Sequence, residues 1–259
     1  MEWRERDRVR WLEAAMPGAC AAFTTRLGGL SEPPFAALNL GVFTEDDRDA
    51  VVANRRRLSA ALGFATDRVA IAHQVHGAEL IDHDDPSSPP CSFASDEEGG
   101  EQRAGDGAIV DADGHVVAAE GMAALVFVAD CAPVALSGPA GVAMLHCGWR
   151  GLAAGIVAKG AAAIGATDAA IGPSIGPCCY EVGEEVLAAF DHLGKGIATA
   201  RRLDLAEVTR RLLTEAGVGR VETSGLCTSC EPELFFSHRR DRGRTGRQAG
   251  LVWRDSGEG

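Results

Sequence analysis

No stretch of this chain is long and apolar enough to span a membrane or to form the core of a secretory signal. Its first residues, MEWRERDRVRWLEAAMPG, break every apolar run with charge. A soluble, cytoplasmic protein is expected. Positive charge is also scarce: 25 Lys and Arg face 37 Asp and Glu, for a formal net charge of -12. Proteins that track nucleic acid carry the opposite field, so neither a nucleic-acid nor a membrane partner is expected. The dense cysteine spacing of a small secreted scaffold is missing too. Eight cysteines are scattered over 259 residues, a length that needs no disulfide staples, and reduced thiols are expected. A hydrophobic fraction of 46% excludes disorder throughout. No internal repeat or heptad run is visible.

Part of the acid is local. Residues 84–105, DDPSSPPCSFASDEEGGEQRAG, hold six acids against one arginine and read as a flexible acidic insert. Neither side of it has enough strands to close its own sheet, so a single domain over residues 1–259 is expected. The remainder is only moderately acidic, and an anionic small substrate would need local arginines.

Several segments have readable periodicity. Residues 46–62 predict a helix, with Asp46 or Asp47 as cap and Gly63 in the left-handed position after its end. AAFTTRLGGLSE reads as a strand entering a glycine turn, RVAIAHQVHG as a strand, and GDGAIVDADG as a short strand and turn. MAALVFVADC and GVAMLHCGWRG are apolar runs suited to strands covered on both faces. LAAGIVAKGAAAIG, GEEVLAAFDHL and LDLAEVTRRLLTEAG predict helices, the last opening on Asp204 and Glu207 in a capping-box arrangement. The mixture places the fold in the α/β or α+β class, with a mixed β-sheet and flanking helices.

Candidate chemistry concentrates at strand ends. His76, Cys131 and His146 each stand at or just past an apolar strand, where distant segments can converge, and two imidazoles with a thiolate suit zinc with an open fourth position. Cys147 competes with Cys131, but neighbouring strand residues point to opposite faces, so Cys147 reads as a packing residue. GPSIG matches a nucleophile elbow only literally, because Pro177, Cys178 and Cys179 follow where a helix should begin. CTSC at Cys227–Cys230 could pair with Cys178 and Cys179 around zinc; a lone C-x-x-C with an adjacent pair is a weak signal, and a coincidental pair of thiols is the preferred reading. No histidine has glutamate two residues on, and H-E-x-x-H is absent. Arg26 in TTRLGG and Arg150 in GWRG lie against glycines, where a guanidinium can take an anion bidentately.

The motifs TTRLGG, ALNLG, HQVHG, ADCAPVAL, HCGWRG, AIGPSIGPCCYEVG, LDL and FFSHRRDRGRTGRQAGLVW occur in order. With these the chain resembles, over roughly residues 20–254, the bacterial proteins labelled laccase-domain or polyphenol oxidoreductase proteins, linked to purine nucleoside phosphorylase activity and peptidoglycan editing. The resemblance implies an α/β domain with a mixed sheet, related to a class of cysteine hydrolases, and a zinc ion on His76, Cys131 and His146. The residue after that last histidine is usually alanine in the family, which agrees with a packing role for Cys147.

The implied activity is phosphorolysis of adenosine, inosine and methylthioadenosine, with some adenosine deamination. Arg26, Arg150 and Asn39 are then expected to contact phosphate or ribose, and His73, Asp130 and Arg150 to take catalytic roles. A nucleotide-linked peptidoglycan precursor is the alternative substrate, cleaved by an amidase using the same site. A metal-bearing interaction protein of cell division or envelope assembly is a third reading. A true multicopper oxidase is disfavoured, since the chain has seven histidines and no H-x-H pair; copper binding in vitro is compatible with such a donor set. Oligomeric state is not indicated.

Overall fold

The computed structural model describes residues 1–84, 92–93 and 110–255. Nearly all of the acidic insert lies outside the described residues. The strands are β1 (Glu2–Arg6), β2 (Val9–Met16), β3 (Ala19–Thr24), β4 (Val69–Ala70), β5 (Leu80–Asp82), β6 (Gly114–Val117), β7 (Ala123–Val128), β8 (Ala132–Gly138), β9 (Gly141–Cys147), β10 (Asp168–Ile171), β11 (Ala198–Thr199), β12 (Arg202–Leu203), β13 (Arg220–Thr223) and β14 (Gln248–Arg254). The helices are α1 (Arg48–Leu62), α2 (Trp149–Ala153), α3 (Ile156–Ile164), α4 (Glu184–Ala188) and α5 (Leu205–Glu215).

The α+β class and the mixed strand directions agree with the sequence. The strands form two six-stranded sheets, ordered β1-β2-β3-β14-β7-β4 and β13-β10-β8-β9-β6-β5, with β11 and β12 as a separate pair. Most neighbours are antiparallel; β4–β7, β5–β6 and β10–β13 are parallel.

Alternation along the strands explains the layering. On β9, Val142 and Met144 join Phe23, Val126 and Val252 in a core between the two sheets. Their neighbours Ala143, Leu145 and Cys147 face Ile156, Val157 and Val208 of α3 and α5. The other sheet turns Trp11, Leu125 and Leu251 toward Leu58 and Ala61 of α1. Both sheets are thus covered on two faces, which is why β7 and β9 read as unbroken apolar runs.

Helix α1 starts where expected, with the Asp47 side chain accepting from Ala50 N and Gly63 at φ 86° after its end. Asp204 caps α5 by accepting from Glu207 N, but the Glu207 carboxylate binds Arg210 and Arg211 rather than closing the capping box. LAAGIVAKGAAAIG is two helices, because Gly155 adopts φ 86° between α2 and α3. RVAIAHQVHG is a strand only over Val69–Ala70. No described helix is long and apolar enough to cross a membrane.

Candidate active site

The hairpin of β8 and β9 pairs Ala132 with Cys147 and Pro133 with His146. Cys131, one residue before β8, therefore emerges beside the end of β9. The third member comes from the loop after β4. The ring nitrogens of His76 and His146 and the Cys131 sulfur all lie within 4.8 Å of one another. The two imidazoles meet edge-on. A Cβ on Gly148 would stand 3.1 Å from Cys131 Sγ and 3.2 Å from His76 Cδ2, so a side chain there would crowd the group. Cys147 is fully buried among apolar residues on the opposite face, where burial raises its thiol pKa well above normal.

The loop that carries His76 makes one backbone bridge, His73 beside Asp111, and is otherwise tied down by side chains. Gln74 donates to Phe127 O at 2.8 Å and accepts from Phe127 N at 2.7 Å. The amides of Val75, His76 and Gly77 then wrap the Asp113 carboxylate at 3.1, 2.9 and 2.6 Å, with His76 at φ 61°. Asp113 is fully buried and also pairs with His146 Nδ1 at 2.7 Å. One carboxylate thus positions two of the three donors, and it fixes His146 so that Nε2 is the nitrogen left for a ligand. Burial opposes ionisation of Asp113, but His146 and the Gly77 and Val75 amides outweigh it and hold its pKa below the usual range.

The same balance governs the donors. Burial would raise the Cys131 thiol, yet His146 and His76 lower it to about 6. Burial would lower His146, yet Cys131 and Asp113 raise it to about 9. The thiolate form, which binds metal, is favoured.

The group opens on a cleft of about 510 Å³, within the usual size of small-molecule sites. His73, Asp130 and Arg150 line it. His73 Nδ1 lies 2.7 Å from Asp111 Oδ1, and its ring meets Phe43 edge-on at 5.3 Å. Arg150 lies in the first turn of α2, its guanidinium 4.5 Å from the Trp149 ring centroid. Asp130 is nearly buried at φ 96°, and its two oxygens accept from Thr228 Oγ1 and Arg239 N, both at 2.7 Å. Those bonds give it a part in holding the cleft wall.

Two expected anion contacts do not join the cleft. Arg26 donates to Ala36 O and Pro232 O, and its guanidinium lies 4.5 Å from the Phe236 ring centroid. Asn39 is fully buried, donating to Thr44 and Asp46 and accepting from the amides of Gly41 and Arg247. Its amide holds the 41–46 loop and Arg247 in place, and every polar atom is spent doing so. Glycine neighbours made Arg26 resemble an anion site; its actual partners are carbonyls, one ten residues on and one far along the chain.

The cleft contains residues that the sequence did not single out: Arg239, Arg247, Tyr180 and Phe43. Arg247 donates to Thr245 O and Gly246 O; burial lowers its pKa, while Cys131 and Asp130 act in the opposite direction. Asp113 was also missed, and VDADG offers no local signal beyond an acid in an apolar segment.

Comparison with known proteins agrees with this architecture. The family described as multi-copper polyphenol oxidoreductase laccase matches residues 20–255. The purine nucleoside phosphorylase YlmD of Geobacillus stearothermophilus is 37% identical over 94% of this chain and 94% of its own. A purine nucleoside phosphorylase of Deinococcus radiodurans is 38% identical over 89% and 87%. Among solved structures, Bacillus licheniformis YfiH, titled a hypothetical protein, superposes with a TM-score of 0.83 at 32% identity, covering 98% of this chain and 99% of that one.

Proposed function

The chain belongs to the multi-copper polyphenol oxidoreductase laccase family, and on that premise we propose that it is a zinc-dependent purine nucleoside phosphorylase. The observation that carries this reading is that three metal-type donors line one cleft together with Arg150, Arg239 and Arg247. The named phosphorylases among its relatives supply the substrate class.

Two imidazoles and a thiolate facing an open cleft fit zinc. The only other metal-type cluster among the described residues is made of cysteines, so the histidine sites of a multicopper oxidase have no counterpart there. Held by His76, Cys131 and His146, zinc would supply Lewis acidity toward a substrate oxygen.

The chain's own residues do the rest. Arg150 and Arg239 neutralise and orient phosphate, and Phe43 and Tyr180 offer ring faces to base and ribose. A phosphate oxygen attacks the anomeric carbon, the bond to the purine nitrogen breaks, and the base leaves with the electron pair. His73, oriented by Asp111, delivers a proton to the departing purine. Ribose 1-phosphate and free base are the products. Adenosine deamination, as a side activity, would also use His73, since Asp130 already accepts from Thr228 and Arg239.

The test is phosphate-dependent release of adenine from adenosine by wild type, Cys131→Ser and Cys147→Ser. Cys131→Ser is expected to lose metal and turnover together, and Cys147→Ser to keep both. Adenine release independent of phosphate concentration would reject phosphorolysis.

A further inference from the structure

The four cysteines outside the cleft come together, contrary to the expectation from their spacing. The cause is topology. Strands β10 and β13 are parallel neighbours with Ile171 opposite Thr223, so the segments after them leave the same edge side by side. The pairing continues as a bridge between Ser174 and Cys227. Cys178 and Cys179 follow on one segment, and Cys227 and Cys230 on the other.

All four sulfurs lie within 4.8 Å of one another. Cys178 Sγ is 3.3 Å and Cys179 Sγ 3.5 Å from Cys230 Sγ. A zinc–sulfur bond of about 2.3 Å places the sulfurs of a regular tetrahedron ~3.8 Å apart, inside this range. One disulfide would use only two of the four thiols, and a multi-iron cluster spreads its cysteines more widely. The Gly176 amide donates to Cys227 Sγ at 3.2 Å, a contact that stabilises a thiolate.

We propose that Cys178, Cys179, Cys227 and Cys230 hold a second, structural metal ion, a single tetrahedral zinc or similar thiophilic cation, that clamps two segments of the cleft wall. Four protein sulfurs close the coordination sphere and leave no position for substrate. Cys179 adjoins Tyr180, which lines the cleft. Cys227 adjoins Thr228, which donates to Asp130 and accepts from Arg240. The ion thus supports the cleft from outside it.

The decisive measurement is metal content per chain, with cobalt as a spectroscopic substitute, on full-length protein purified under reducing conditions. Zinc in Cys178→Ser/Cys230→Ser is expected to fall by one equivalent relative to wild type. Folded Cys131→Ser, which lacks the cleft thiolate, should still bind one cobalt with intense thiolate-to-metal absorption and tetrahedral bands. Adding Cys178→Ser and Cys230→Ser should abolish that absorption. Unchanged zinc in the double variant overturns the proposal, as does folded Cys131→Ser without cobalt–thiolate absorption. Acid-labile sulfide would overturn it in favour of an iron–sulfur cluster. If Cys131→Ser does not fold, the same cobalt absorption is compared between wild type and Cys178→Ser/Cys230→Ser, and equal intensity overturns it.

Discussion

Replacing Asp113 with asparagine preserves shape and removes charge, and it tests how the cleft donors are held. Asp113 Oδ1 accepts from His76 N and pairs with His146 Nδ1, and Oδ2 accepts from Val75 N and Gly77 N. A carboxamide has one oxygen, so two of those four partners must face an NH2 group. Each stranded buried donor costs about 1–3 kcal/mol, giving a loss on the order of 2–6 kcal/mol. For a chain of this size that corresponds to a drop in Tm of roughly 5–20 °C. Because two of the three donors lose their support, metal affinity should fall about 10- to 100-fold. Thermal unfolding of the metal-free protein isolates the first effect, and competition with a chelator measures the second. A variant with Tm within about 2 °C of wild type and undiminished metal affinity would refute the idea that this carboxylate sets the geometry of His76 and His146.

Other outcomes follow from the same contacts. Cys147→Ala should retain metal and turnover while losing about 1–2 kcal/mol of stability in denaturant titration, as expected for a small trimmed core residue. Arg150→Ala should raise the KM for phosphate at least about tenfold, the loss of one charge-assisted contact. Arg26→Ala should leave that KM unchanged and lower stability by about 1 kcal/mol through loss of its bond to the half-buried Ala36 carbonyl. Equal effects of the two arginine variants on KM would contradict the placement of Arg26 outside the cleft. His115 is fully buried, its Nε2 has no partner among the described residues, and burial followed by His83 lowers its pKa from 6.5 to about 3. The unfolded chain therefore binds this proton first, so stability is present above pH 6.5 and lost as pH falls toward 3. Relative to His115→Leu, wild type should lose up to about 1.4 kcal/mol per pH unit across that window, and parallel stability–pH curves would sink the assignment.

How far the sequence could be read depended on where the information sits. Asp47 and Gly63 around α1, and Asp204 before α5, are local signals and hold in the structure. Each of His76, Cys131 and His146 lies at or near the end of an apolar segment, a pattern that allows convergence without showing it; the grouping came from the resemblance, and the structure brings the three together. The division into two sheets was not readable. A strand covered on both faces looks the same whether its second cover is a helix or another sheet. RVAIAHQVHG was read as a strand because its apolar content is high, yet after a single backbone bridge at His73 the Gln74 side chain and the Asp113 carboxylate take the place of ladder partners. Asn39 and Arg26 were assigned by residue type; each takes nearby partners within residues 36–46 and one distant partner, Arg247 N and Pro232 O respectively, that only the fold brings close. The cysteine group failed for the same reason: its spacing has meaning only once β10 and β13 are known to run parallel.

Strand β14 pairs with both β3 and β7 in the middle of its sheet. During synthesis it leaves the ribosome well after β3 and β7, the two strands it joins. Until then β3 and β7 each carry an open row of amides and carbonyls, able to pair with any passing strand. This sheet is therefore completed late, by contacts of very long sequence separation, a topology that favours slow folding. Loss of the closing strand would leave two exposed seams where a shortened edge strand would leave one.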